Sequence, residues 1–188
     1  MSVEDHRADL FAQLTAYLEN NPGEAAMVQR YLDFVAGHVD CFERSLLVGH
    51  VTGSAMVLDS TGTRVLLTHH RKLERWLQPG GHADGIANVL EVAMKEADEE
   101  TGLEAIAPVS RELLDVDIHA IPARGDEPAH YHYDCRFLLQ STGSDAFTVS
   151  EESHDLAWVP MDKILDYTDE ESILRMIDKI PGRLAAAG

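Results

Sequence analysis

Glu96, Glu99 and Glu100 stand at i, i+3 and i+4 in the stretch Lys95-Glu96-Ala97-Asp98-Glu99-Glu100-Thr101-Gly102-Leu103. On a helix such residues are surface neighbours. Three anions packed together repel one another, so the arrangement costs stability unless a cation sits among them. Hard divalent cations such as Mg²⁺ take carboxylate oxygens and often bridge to phosphates. The three glutamates therefore read as a metal site for phosphate chemistry. A solvated acidic helix face is the plain competitor, and 33 acidic against 15 basic residues give it weight for any single glutamate. It does not explain why Gly80-Gly81 precedes the helix and Gly102 follows it.

A second constellation lies on two strand patterns, Leu113 to Ile121 and Tyr131 to Leu139. Side chains alternate between the faces of a strand. Asp115, Asp117 and His119 therefore share one face, and His130, His132, Asp134 and Arg136 share one face of the next strand. If the two pair as a hairpin, their polar sides form one patch of histidines and aspartates. Three readings stay open: substrate recognition through sugar or phosphate contacts, a metal held by His130-x-His132, or acid–base work by one histidine near neutral pH. A half-buried sheet facing water shows the same period. A dense basic cluster, His69-His70-Arg71-Lys72 with Arg75-Trp76, precedes the glycines and suits a diphosphate. Arg71, Lys72 and Arg75 are its phosphate candidates, and Trp76 is either a base-stacking ring or core. Gly81 and His82 lie nearest the carboxylates in sequence and are expected at the substrate. His50 reads as structural.

The elements that position these groups can be read from the apolar period. Leu10, Leu14 and Leu18 predict a first helix, broken at Asn20-Asn21-Pro22-Gly23, and Met27 to Val35 a second that ends at Gly37. Val51–Leu58 and Arg64–Thr68 read as strands around the turn Asp59 to Thr63. Leu77-Gln78-Pro79-Gly80-Gly81 is expected to break regular structure. The acidic helix is expected over Asn88–Thr101 with Gly102 just past its end. A last core strand falls near Leu156–Val159, Pro160 opens a short helix over Met161–Leu165, and an amphipathic helix carries Ile173, Leu174, Ile177 and Ile180. The tail from Arg183 is expected to fray.

Composition bounds the rest. A chain of 188 residues suffices for one domain with a proper core. A net charge of −18 argues against nucleic-acid polymers and anionic membranes as partners. Cys41 and Cys135 lack metal-type spacing and read as reduced, buried groups. No apolar run is long enough to span a membrane. The acidic start MSVEDHRADL is unlike a signal peptide, so a cytoplasmic location is expected.

The stretch Gly81 to Leu103 resembles the Nudix box, G-x5-E-x7-R-E-U-x-E-E-x-G-U with U a bulky apolar residue. Gly81, Glu96, Glu99, Glu100, Gly102 and Leu103 fall on their places, and Ala97 fills the first U. Ala87 stands where the family has its first Glu, and Lys95 where it has Arg. Lys95 keeps the charge but loses the planar fork that holds a carboxylate bidentately. Asp84 is a nearby carboxylate that could stand in for the missing Glu. The resemblance implies an α/β fold, a Nudix-like α/β/α sandwich around a mixed sheet. Residues 1–45 would be an N-terminal helical extension, 50–165 the core and 168–182 the C-terminal helix of a single domain. It implies a pyrophosphohydrolase dependent on Mg²⁺ or Mn²⁺, acting on a nucleoside diphosphate linked to another moiety. Glu96, Glu99 and Glu100 would be metal ligands and catalytic groups. Asp117, His119, His130 and His132 would shape the substrate cleft. Some Nudix enzymes draw a further ligand or base from a late loop, where Glu152 is the candidate. A homodimer is in keeping with the family. Two rivals share the fold: a nucleotide-binding regulatory module that does not hydrolyse, and an isomerase or glycosyl hydrolase that leaves the diphosphate intact.

Overall fold

A computed structural model describes residues 7–151 and 153–187. Two N-terminal helices, α1 (Ala8–Asn20) and α2 (Ala25–Gly37), lead into β1 (Gly49–Leu58) and β2 (Arg64–His70). The short strands β3 (Arg75–Leu77) and β4 (Gly80–His82) precede α3 (Val89–Thr101). Then come β5 (Ile106–Pro108), β6 (Asp115–Ile121), β7 (His130–Ser141), β8 (Ser153–Pro160), a 3₁₀ turn over Met161–Asp166 and α4 (Glu171–Ala187). The eight strands form one mixed sheet with the path β3-β2-β1-β7-β5; β4 adds to β1, β6 to β7 and β8 to β2.

The centre is the parallel pair β1–β7, in register from Gly49 opposite Tyr131 to Leu58 opposite Gln140. Every residue of β1 is buried: Ala55 to Leu58 are apolar on both faces, as a covered strand requires, while His50, Thr52 and Ser54 are buried polar groups on one face. Val51, Ala55 and Val57 face a layer made by α1, α2 and α3, with Leu14, Tyr31, Val92 and Ala93 among its buried members. Met56 and Leu58 face the other layer, where Ile173, Met176 and Ile180 of α4 close the core. The result is the expected α/β/α sandwich. The N-terminal helices cover the sheet: the Tyr31 hydroxyl donates to the Tyr133 carbonyl at 2.8 Å, and Phe34 stacks on Tyr133 at 3.7 Å.

β1 changes partner along its length. Its C-terminal end pairs with β2, Val57 opposite Leu66, while Thr52 to Ser54 pair with β4. β1 is thus bordered by β2 at one end and by β4 at the other, and the chain enters α3 from the β4 end.

Three expectations change. Gly80-Gly81 do not break regular structure; they pair with β1, because the missing side chains let the backbone lie against Ser54 and Glu96. The C-terminal helix runs from Glu171 to Ala187 rather than over 168–182, with Pro181 inside it. The tail does not fray at Arg183, whose guanidinium pairs with Glu112 and donates to the Leu113 carbonyl at 2.6 Å. Cys41 and Cys135 are buried and form no disulfide among the described residues. Among the described residues no helix is long and apolar enough to cross a membrane.

Candidate active site

α3 begins at Asn88, whose side chain accepts from the Glu91 N–H at 3.4 Å, and ends at Gly102. Gly102 has φ 59° and returns its N–H to the Asp98 carbonyl at 2.9 Å. That left-handed cap is costly for any residue with a Cβ. Val89, Leu90, Val92, Ala93 and Ala97 bury one stripe of the helix, which turns the glutamates toward the strand end that carries β4. Glu100 is buried to 9% exposure, and its Oε1 accepts the Gly80 N–H at 2.8 Å. Glu96 lies against Gly81, where any Cβ would collide with its carboxylate. Lys95 Nζ donates to Glu96 at 3.2 Å and to Glu99 at 3.0 Å. Hydrogen bonds to Glu99 and then Glu96 raise the lysine above its ordinary pKa. Glu96 is thus brought against Gly81 and Glu100 against Gly80, while Glu99 is tied to Glu96 through Lys95. Asp84 is paired with Arg44. Ala87 packs on the core and lines a cavity of about 500 Å³ with Gln13, Asn88, Leu90 and Arg111.

The basic cluster lies around the β2–β3 hairpin. Arg75 pairs with Glu170, Arg71 donates to the Ser153 carbonyl at 3.2 Å, and the Lys72 N–H donates to His70 Nδ1 at 3.2 Å. Trp76 is half-buried, stacked on His69 and edge-on to Tyr167. Glu152 lies outside the described residues.

β6 and β7 do pair as a hairpin, with His119 opposite His132 and Asp117 opposite Asp134. The polar face divides into two parts. Under α4, the buried Arg136 bonds Asp134 (2.8 Å), Asp115 (3.3 Å) and Asp117 (3.3 Å). Arg175 and Lys179 of α4 add bonds of 2.7 and 2.6 Å to Asp115, and Thr52 and Ser54 donate to Asp134 at 2.8 and 2.7 Å. Asp117, expected in the cleft, sits in this network. Burial pushes its carboxyl up, but the His119 hydrogen bond and Arg136 outweigh that and hold it well below the usual range.

Beyond the network the face belongs to histidines. The rings of His82, His130 and His132 lie 5.0, 4.9 and 5.0 Å from that of His50, and His119 lies 5.4 Å from His132. His50, read as structural from sequence, is central to the group. Its place opposite His132 follows from the parallel β1–β7 register, and no local pattern announces a pairing between residues 82 positions apart. Burial and then His82 lower His50 to about 4; burial and then His119 lower His132 to about 2; burial and then Arg44 lower His82. Side chains alternate along β4, so Gly81 meets Glu96 on one face while His82 joins the histidines on the other.

A mixed sheet between helical layers, with carboxylates of one helix gathered over a glycine strand, defines a class of phosphate-processing α/β domain. The sequence profile of the NUDIX domain matches residues 49–180. The chain belongs to the Nudix family, and its enzyme class is that of the Nudix-type pyrophosphohydrolases. Solved structures share the fold. The E. coli dihydroneopterin triphosphate pyrophosphohydrolase superposes with TM-score 0.56 at 15% identity, over 69% of this chain and 92% of that one. The C. elegans Ap4A hydrolase binary complex gives 0.53 at 15%, over 72% and 98%. A NUDIX-family hydrolase from Clostridium perfringens gives 0.51 at 23%, over 70% and 96%. No curated protein matches the chain.

Proposed function

We propose that this chain hydrolyses the diphosphate of a nucleoside diphosphate linked to another moiety, such as a nucleotide sugar or ADP-ribose, or of a nucleoside triphosphate, with Mg²⁺ or Mn²⁺. The observation that carries this reading is that Glu100 meets Gly80 and Glu96 meets Gly81, with Lys95 bonded across Glu96 and the exposed Glu99 one turn along the same helix. The donor set is all oxygen, as hard divalent cations require. Lys95 is half-exposed on a flexible stem, so it can yield its place. These residues therefore fit the metal that the family implies. When bound, a divalent cation neutralises charge on the phosphates and makes water a nucleophile near neutral pH.

The chain's own groups then have separable roles. Glu100, fixed by the Gly80 N–H, orients the cluster. Glu96, against Gly81, and the exposed Glu99 complete the ligand set, and one of them or Glu152 accepts a proton from the attacking water. Gly81 gives the closest approach of backbone to carboxylate. His82, His119, His130 and His132, across β4 from Glu96, are assigned to the non-reacting moiety. Asp117 orients His119 from the ion network, and Arg71, Lys72 and Arg75 reach the phosphates from the hairpin if they release their present partners.

The test is incubation of the protein and its Glu99→Gln variant with a nucleoside-diphosphate panel and Mg²⁺ or Mn²⁺, followed by phosphorus NMR. Nucleoside monophosphate that forms only with metal and with Glu99 intact is the expected result. Metal-dependent binding without turnover would replace this reading with a nucleotide sensor, and an intact diphosphate in the product would point to isomerase or glycosyl-hydrolase chemistry.

A further inference from the structure

We propose that His50, His130 and His132 form a binding site for a divalent transition-metal ion of the zinc class, separate from the carboxylate site on α3. One ring nitrogen of each lies within 4.8 Å of the others. His130 Nε2 and His132 Nε2 are 3.3 Å apart. Two imidazole nitrogens on one tetrahedral zinc, each about 2.0–2.1 Å from the ion, are separated by about 3.3–3.4 Å. The pair already has the edge length of such a coordination shell.

The hydrogen-bond pattern agrees. His130 Nδ1 lies 2.9 Å from the Pro128 carbonyl, which can only accept, so Nδ1 carries the proton. In the neutral ring, Nε2 then presents a lone pair toward His132. A carbonyl that fixes the tautomer of a ligand from behind is the usual second contact of a metal-bound histidine. His50 supplies the independent sign. It is 2% exposed, and its buried ring nitrogens make no hydrogen bond of normal geometry, the Leu46 carbonyl being a weak acceptor beside it. A buried imidazole left unpaired is costly unless something takes its lone pair.

The chemistry of the donors selects the ligand. Imidazole nitrogens that turn lone pairs toward one point attract a cation and not a phosphate. Imidazole nitrogen suits zinc, cobalt, nickel, copper or iron, whereas Mg²⁺ prefers oxygen. Three protein nitrogens leave a coordination position open, as in metal sites that bind a further ligand. The His82 and His119 rings lie 5.0 and 5.4 Å from that of His132, and the exposed Glu127 carboxylate is 3.8 Å from His130 Nε2. The two sites stand on opposite faces of β4, one built for a hard cation and one for a softer one.

Cobalt tests this directly. The full-length protein, stripped with chelator, is titrated with Co²⁺ and followed by visible absorption. Near one equivalent, the intense ligand-field bands of low-coordinate Co²⁺ are expected, discharged by Zn²⁺. The Glu96→Gln/Glu99→Gln double variant should keep them, and His50→Ala and His132→Ala should weaken binding at least about tenfold. Where a histidine variant fails to fold by circular dichroism, the unmutated protein answers: Zn²⁺ should shift the imidazole ¹⁵N resonances of three histidines. Bands absent from the wild type, bands lost with the glutamates, bands kept by both folded histidine variants, or unmoved ¹⁵N resonances would each overturn the proposal.

Discussion

The chain gathers carboxylates twice, and the two gatherings differ in how their charge is met. Asp115, Asp117 and Asp134 surround the buried Arg136, with Arg175 and Lys179 closing the group from α4. Every aspartate there has a cation of the fold itself. Glu96, Glu99 and Glu100 have Lys95 across two of them and a backbone N–H on the third. The first cluster is electrically complete and lies between layers, so it holds α4 to the sheet. The second lies along the last turns of α3 beside β4, with Glu99 exposed. Carboxylate count alone does not mark a site; whether the group is sealed between layers or opens onto the surface separates the two.

That contrast predicts opposite outcomes for similar substitutions. Glu96→Gln should lower the hydrolysis rate about a thousandfold, by removing charge at the reacting phosphates, while leaving the urea midpoint in chelator unchanged or raised. A large loss of stability would erase the contrast. Arg136→Met should do the reverse. It removes the cation shared by the buried Asp115 and Asp134 and the half-buried Asp117, so unfolding by urea should show a loss of about 3–5 kcal/mol, with no recovery on adding Mg²⁺. Gly81→Ala tests the contact between strand and carboxylate. Its Cβ must displace Glu96, and the Mg²⁺ concentration for half-maximal activity should rise about tenfold, or ~1.4 kcal/mol. Lys95→Met should give the smallest change. The metal-free protein should lose about 0.5 kcal/mol as the glutamates repel one another, and saturating Mg²⁺ should remove most of that difference in thermal unfolding.

Much of this was legible in the sequence. The i, i+3, i+4 spacing put the glutamates together because helix geometry is local, and Asn88 and Gly102 marked the ends of that helix for the same reason. The alternation in residues 115–119 and 130–136 revealed one polar face, since strand period is local too. The three-residue strands β3 and β4 escaped because Pro79-Gly80-Gly81 carries loop chemistry, and only the opposing β1 backbone makes it a strand. Arg75 reads as a free cation in the sequence; Glu170, 95 positions away, engages it in the fold.

The sequence by itself determined the family, the acidic helix and the apolar faces that build the sandwich, since each depends on residues within a few turns or one strand of each other. Tertiary structure decided which aspartates are neutralised, that Gly81 is pressed on Glu96, and that His50 meets His130 and His132. Apart from Asp134 with Arg136, those contacts join residues 15 to 82 positions apart, and their existence rests on the register of β1 with β4 and β7 and on how α3 and α4 lie across the sheet.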